Sequence, residues 1–173
     1  MATITSLVTS PAPFADQYPT GQFSVVQFNR PADVLAYGAE DVISDSASVA
    51  AAIRFPNVGR NGLLRGASLI TSDPQAANYT LLVFSHEPQN YVDNAALSLQ
   101  AADAAKLVVV YQWTAEKGLG TFSWRQALTT LSPHITYGYC SPDGNLYGLL
   151  CTNSVITPVS AATYTIKLSV ETL

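Results

Sequence analysis

Residues 28 to 46, FNRPADVLAYGAEDVISDS, place an arginine, a proline turn and the acidic set Glu40, Asp41 and Asp45 between short apolar pulses. Carboxylates that converge on a folded-back loop would form a weak cation site, but like charges separate in water and a solvated loop is the plainer expectation. The chain has two histidines, His86 just before Pro88 and His134 just after Pro133. A general base needs a positioned partner, and isolated loop histidines beside proline are expected to be structural. The sequence contains no GxSxG elbow, no HExxH pair and no Cys/His cluster, and SPDGN at 141–145 lacks the ligand series of a calcium loop. It reads as a hairpin turn. The GxG of EKGLGTF leads into a strand-like run, not a helix, and so reads as a turn and not a phosphate cradle. No catalytic residue, metal ligand or cofactor is assigned, and the chain is expected not to be an enzyme.

Cys140 and Cys151 fit neither a zinc site nor a CxxC motif. With a turn at SPDGN, Cys140 falls near the hairpin tip and Cys151 well down the returning strand, so two free thiols, buried or half-buried, are expected. The net charge is −4 and the eight basic residues are scattered, with Arg54, Arg60 and Arg65 the one local cluster. Without a basic stripe, nucleic acid is not an expected partner. The first residues carry no basic n-region, and no run approaches the ~18 apolar residues of a spanning helix. The expectation is a soluble chain made in the cytoplasm, with no membrane partner.

Charged residues make up only 12% of the chain against 48% hydrophobic, about half the usual charged share. A surface so poor in charge is weakly protected against sticking, and much of it is expected to be covered in an assembly.

The elements that must position any site read as strands. Residues 1–22 hold Pro11, Pro13, Pro19 and Gly21 among Ser and Thr, a composition that disfavours helix and central strand, and form an expected extended arm. From residue 23 to 173 a single domain is expected, with strand-length segments at 23–29, 40–45, 48–55, 62–71, 78–85, 106–114, 120–128, 134–140, 145–152 and 162–173. Turn residues separate them throughout: RPAD, PNVGRNG, SDPQAAN, EKGLG, SPDGN and TPVSAA. Short strands at this spacing predict an all-β, antiparallel β-sandwich or barrel. The last segment alternates, with Tyr164, Ile166, Leu168 and Val170 toward a core. LVVVYQW is continuously apolar and is expected to be covered on both faces, in the sandwich core or under a neighbouring subunit. The Ala- and Leu-rich stretch 94–106 predicts a short crossover helix. Nine Tyr and two Trp could stack on sugars, but core packing is the more ordinary use of rings on sheet faces.

The blocks FNRPADVLAYGAEDVISD, IRFPNVGRNGLLRGASLI and YTLLVFSHEPQNYVDNAALSLQAADAAKLV, in that order, resemble the small capsid cement, or decoration, proteins of tailed bacteriophages. The resemblance covers roughly residues 23 to 112. It implies a single jelly-roll β-sandwich without catalytic residues, bound outside the major capsid shell. It also implies that Pro31, Ala32 and Asp33 form a turn under Tyr37, and that Asp93 and Asn94 cap the crossover helix.

The function expected from this is structural: a virion protein on the outer capsid surface that holds the head against internal DNA pressure. The expected partners are the major capsid protein and further copies of the chain, as dimer or trimer. The expected contact residues are Pro11, Pro13, Phe14 and Tyr18 of the arm, with Arg60 and Arg65. The alternative is a carbohydrate-binding adhesin, or a minor head or tail fibre component, using Trp113, Trp124, Tyr137 and Tyr139.

Overall fold

A computed structural model of the chain describes residues 3–4, 21–46, 52–73, 77–89, 91–114, 118–119, 122–128 and 137–173. The named elements are β1 (Thr3–Ile4), β2 (Gly21–Asn29), β3 (Val42–Ile43), β4 (Ile53–Phe55), β5 (Asn61–Thr71), β6 (Tyr79–Phe84), α1 (Ala101–Ala104), β7 (Leu107–Trp113), β8 (Gly118–Leu119), β9 (Phe122–Leu128), β10 (Tyr137–Cys140), β11 (Leu146–Thr152) and β12 (Thr163–Thr172). The larger sheet runs β1-β2-β12-β5-β9-β8, with β10 also on β5; the smaller runs β3-β11-β6-β7, with β4 also on β11. Every pairing is antiparallel.

Counting β3 with β4 and β9 with β10 as broken strands, and setting aside the two-residue β1 and β8, leaves eight principal strands, ordered first-eighth-third-sixth in one layer and second-seventh-fourth-fifth in the other. That alternation between layers is the double Greek key of a jelly roll, so the all-β sandwich expected from the sequence is the fold of the chain.

Period-two patterning explains the central strand. On β12 the side chains of Tyr164, Ile166, Leu168 and Val170 are buried while Lys167 is exposed. It pairs on one side with the whole of β2 and on the other with β5, where a bulge between Ser169 and Val170 inserts Arg65 into the opposing strand. The main core lies between the sheets, with Phe28 stacked on Tyr164 at 5.5 Å between ring centres.

A second core forms on the outer face of the smaller sheet. Leu82, Phe84, Tyr147, Leu149 and Cys151 point away from the main core and are roofed by Val42, Tyr91 and the half-buried Leu97. The chain between β6 and β7 thus seals this face. In consequence β11 is buried at all seven positions. Within the chain LVVVYQW is not covered on both faces, which corrects its placement in the sandwich core: β7 is an edge strand whose burial alternates, with Val110 43% exposed. An unbroken apolar run does not tell which strand the crossover will cover.

Other expectations shift in extent. The 40–45 strand is two residues, Val42–Ile43, and the 48–55 strand is described as Ile53–Phe55. The helix predicted over 94–106 is the one turn Ala101–Ala104, entered through Gln100 without a side-chain cap. Of the arm, Gly21 and Gln22 belong to β2 and Thr3–Ile4 add an edge strand to it. Its other residues lie outside those described. Cys140 and Cys151 are free, as expected, but Cys140 is exposed.

Close strand packing fixes Gly62. A Cβ there would lie 2.5 Å from the carbonyl oxygen of Glu171 and 2.5 Å from the Tyr139 hydroxyl, which donates to the Val58 carbonyl. Backbone cannot step aside as a side-chain tip can, so Gly62→Ala is expected to lower stability by about 1–3 kcal/mol. Urea unfolding midpoints of the two proteins measure it; an unchanged midpoint would refute the contact.

Candidate interaction surfaces

Arg30 directly follows β2 and is fully buried at its side chain. Guanidinium stays charged at any ordinary pH, so burial obliges the fold to supply partners. Pro31 turns the chain, and Asp33 Oδ1 accepts the Leu35 amide at 3.1 Å, the turn expected for PAD. The same Asp33 oxygen forms an ion pair with Arg30 Nη2, and the Asp33 carbonyl accepts Nη1 at 2.8 Å. The Arg30 Nε donates to the Tyr37 hydroxyl at 3.4 Å, with the guanidinium 5.1 Å from the centre of the Tyr37 ring.

Tyr37 carries the network onward. Its hydroxyl donates to Asp93 Oδ2 at 2.8 Å, while Asp93 Oδ1 accepts the Ser44 amide at 2.7 Å. Burial raises the Asp93 carboxyl above the usual carboxylate range, against the lowering pull of Ser44, Tyr37 and Arg30; burial also raises Tyr37. The expected helix-capping role of Asp93 and Asn94 is therefore corrected. Asp93 ties the 91–96 segment to β3 and to the turn after β2, several residues before α1 begins. Asn94, with its amide oriented to donate, reaches the Ala36 carbonyl at 3.0 Å and Asp41 Oδ2 at 3.2 Å.

The acidic set does not converge. Asp41 Oδ2 accepts the Gly38 amide at 2.6 Å and Glu40 is exposed. Among the described residues, no group of three or more His, Cys, Asp or Glu is placed to hold a metal. The Cys151 thiol is pushed up to about 12 by burial and by Asp41 and Glu40, which leaves it inert as a nucleophile. His86 is exposed after β6, its Nδ1 3.0 Å from Ser85 Oγ; His134 lies outside the described residues.

What the network supports is a rim at one end of the sandwich. The loop 30–41 pairs with the loop 153–162 through Tyr37 N to Ile156 O at 2.8 Å, Ile156 N to Tyr37 O at 3.1 Å and Arg30 N to Ala162 O at 3.0 Å. Residues 34–39 and 153–162 contain no charged residue. From them stand Val34 at 68% exposure, Leu35 at 58%, Val155 at 77% and Val159 at 51%. Isolated exposed aliphatics are ordinary; four on two loops joined by backbone hydrogen bonds make these loops a candidate interaction surface.

The outer face of the larger sheet is a second surface. Phe23 and Ile70 are partly exposed there, with Lys167 Nζ 3.8 Å over the Phe23 ring. Gln27, Asn29, Thr163 and Thr165 complete a mostly neutral face, across which Thr163 Oγ1 donates to Asn29 Oδ1 at 2.9 Å.

The expected contact residues separate. Arg65 forms an ion pair with Glu171 across the bulge, and Arg60 is exposed in the turn before β5. Pro11, Pro13, Phe14 and Tyr18 lie outside the described residues. Of the aromatics named for glycan binding, Trp113 and Tyr139 are buried, Tyr137 packs half-buried against the main core, and the side chain of Trp124 is not described. Seven of the nine tyrosines are buried, so core packing is their main use. The rim was missed in the sequence because 34–39 and 153–161 fall between the strand-length segments and were read as connections between them.

No protein family, curated protein or solved structure matches the chain.

Removing Asp33 strands a buried cation. Asp33→Ala is expected to cost about 3–5 kcal/mol, whereas Arg30→Met combined with Asp33→Ala is expected to be the more stable of the two variants. Thermal and urea unfolding decide it; a double variant weaker than Asp33→Ala would show that the guanidinium stabilises the turn without its carboxylate.

Proposed function

We propose that the protein is a structural, non-enzymatic subunit of a phage virion, a cement protein attached to the outside of the major capsid shell. The observation that carries this reading is the uncharged apolar rim of Val34, Leu35, Val155 and Val159, held in place by the Arg30 network. A flexible apolar loop loses entropy when it docks; a clamped one has lost it on folding, so more of the contact energy is left for attachment. The order of residue blocks that resembles decoration proteins, the jelly-roll topology and the low charge support the same reading.

In this role the rim seats on the shell, and the neutral outer face of the larger sheet is available to further copies of the chain. The sealed face of the smaller sheet plays no part in attachment. Each rim contact is small, of the order of a few aliphatic side chains, each contributing about 1.5–3 kcal/mol when fully buried. Repetition over a lattice, with several interfaces releasing together, makes such attachment persistent. Added subunits that bridge neighbouring capsomers oppose their separation when packaged DNA loads the shell.

The molar ratio of this protein to the major capsid protein in gradient-purified virions tests the reading. A simple, lattice-wide ratio is expected; a few copies per particle, or none, would overturn it. In binding to undecorated heads, Leu35→Asp with Val155→Asp is expected to weaken attachment at least about tenfold, while unfolding stability changes by less than about 1 kcal/mol.

A further inference from the structure

We infer that the outer face of the larger sheet, centred on Gln27, Thr165 and Ile70, is a binding site for uncharged oligosaccharides. Register sets these residues in one row across the strands, with Gln27 of β2 opposite Thr165 of β12 and Thr165 opposite Ile70 of β5. The row continues onto β9, where the Cα partner of Ile70 is Trp124. Residues opposed across neighbouring strands share a face of the sheet. Gln27 and Ile70 are exposed and Thr165 is half-buried, so this is the outer face. Of the four aromatics expected to meet sugars, only Trp124 falls in this row. On one side of it the next row is Asn29 and Thr163; on the other it is Val25, Lys167, Ser68 and Gln126.

The chemistry of these rows selects the ligand. Lys167 is their one charged residue, and its Nζ lies 3.8 Å over the ring of Phe23, one row further from Gln27. Exposed surface ordinarily carries charges of both signs; here carboxamides and hydroxyls stand beside apolar residues. A carboxamide both donates and accepts hydrogen bonds, and so does a threonine hydroxyl. A neutral sugar presents the same mixture, hydroxyls that donate and accept on a ring whose C–H faces pack against aliphatic and aromatic carbon. The bond from Thr163 Oγ1 to Asn29 Oδ1, 2.9 Å, already orients the Asn29 amide at the sheet surface. A sulfated or sialylated glycan would find only Lys167, which is engaged with Phe23.

Size argues the same way. The Gln27 row crosses three strand spacings, about 14 Å, and the six residue steps from Phe23 to Asn29 cover about 20 Å. A protein partner held stably buries roughly 800 Å² on each side, more than twice such a patch, so a second copy meeting this face alone would be held weakly. The backbone of β12 is already paired on both sides, with β2 and β5, and has no ladder to offer a peptide. A short glycan can lie flat across the row. The rim is a different surface, so the inference does not rest on the proposed attachment to a capsid.

The full chain on a printed array of neutral, sialylated and sulfated glycans tests it, followed by calorimetric titration with the strongest neutral oligosaccharide. Neutral glycans are expected to bind, and Gln27→Ala and Trp124→Ala are each expected to weaken binding at least about tenfold, with the melting temperature of Gln27→Ala unchanged. If Trp124→Ala does not fold, Gln27→Ala and Thr165→Val decide. Silence of the native chain across the array overturns the inference, as does binding confined to the charged glycans. Neutral binding indifferent to Gln27→Ala and Thr165→Val overturns it too. Self-association on sedimentation that Ile70→Asp abolishes, with no glycan bound, would give the face to a second copy instead.

Discussion

A charge that cannot be neutralised is buried at the end of β2, and much of the molecule's local order follows from it. Arg30 draws Asp33 back in a three-residue turn, holds Tyr37 under its guanidinium plane and, through the Tyr37 hydroxyl, fixes Asp93 from a segment far along the chain. Asp93 in turn satisfies the Ser44 amide after β3. One guanidinium therefore organises the turn after β2, the strand that follows and the crossover that roofs the smaller sheet. Replacing a single partner leaves a buried polar group short of a bond, which costs more than the pair itself is worth. Val34 and Leu35 stand exposed on the turn that this arrangement holds.

The two sheets have different fates on their outer faces. The smaller is closed by the chain's own crossover, with Tyr91 and Leu97 packed over Leu82, Phe84 and Leu149. Tyr91 is itself pinned where its hydroxyl donates to Asp103 Oδ2 at 2.9 Å. On the larger sheet the described residues of the outer face include Phe23, Gln27, Asn29 and Ile70, all exposed.

Period-two alternation made β12 legible in the sequence, and turn chemistry made the turn at 141–144 legible, with Asp143 Oδ1 accepting the Asn145 amide at 3.0 Å; the hairpin expected there is corrected, because β10 pairs with β5 and β11 with β6 in the other sheet, so the turn carries the chain from one layer to the other. The Asp33 turn was equally readable because its hydrogen bond spans two residues. Asp93 was misread because its partners are 49 and 56 residues away, and a local rule for Asp before an Ala-rich stretch was applied to it. LVVVYQW was misread for a related reason: burial on the second face depends on where a crossover comes to rest, and the strand that received it, β11, carries a glycine where a Cβ would press on Phe55 and Leu81. The rim escaped notice because exposure is set by the pairing of two loops more than 100 positions apart, which no local pattern records.

The position of β12 has a consequence for how the chain is made. It lies between β2 and β5, and the hydrogen bond from Thr163 to Asn29 joins residues 134 positions apart. During synthesis β2 and β5 must wait, each with an unsatisfied edge, until the eighth principal strand has been produced. Low charge leaves those waiting edges little electrostatic protection, and such long closures fold slowly. The larger sheet is thus completed in a single late step, and the interval before it is when nascent chains are most exposed to pairing with one another.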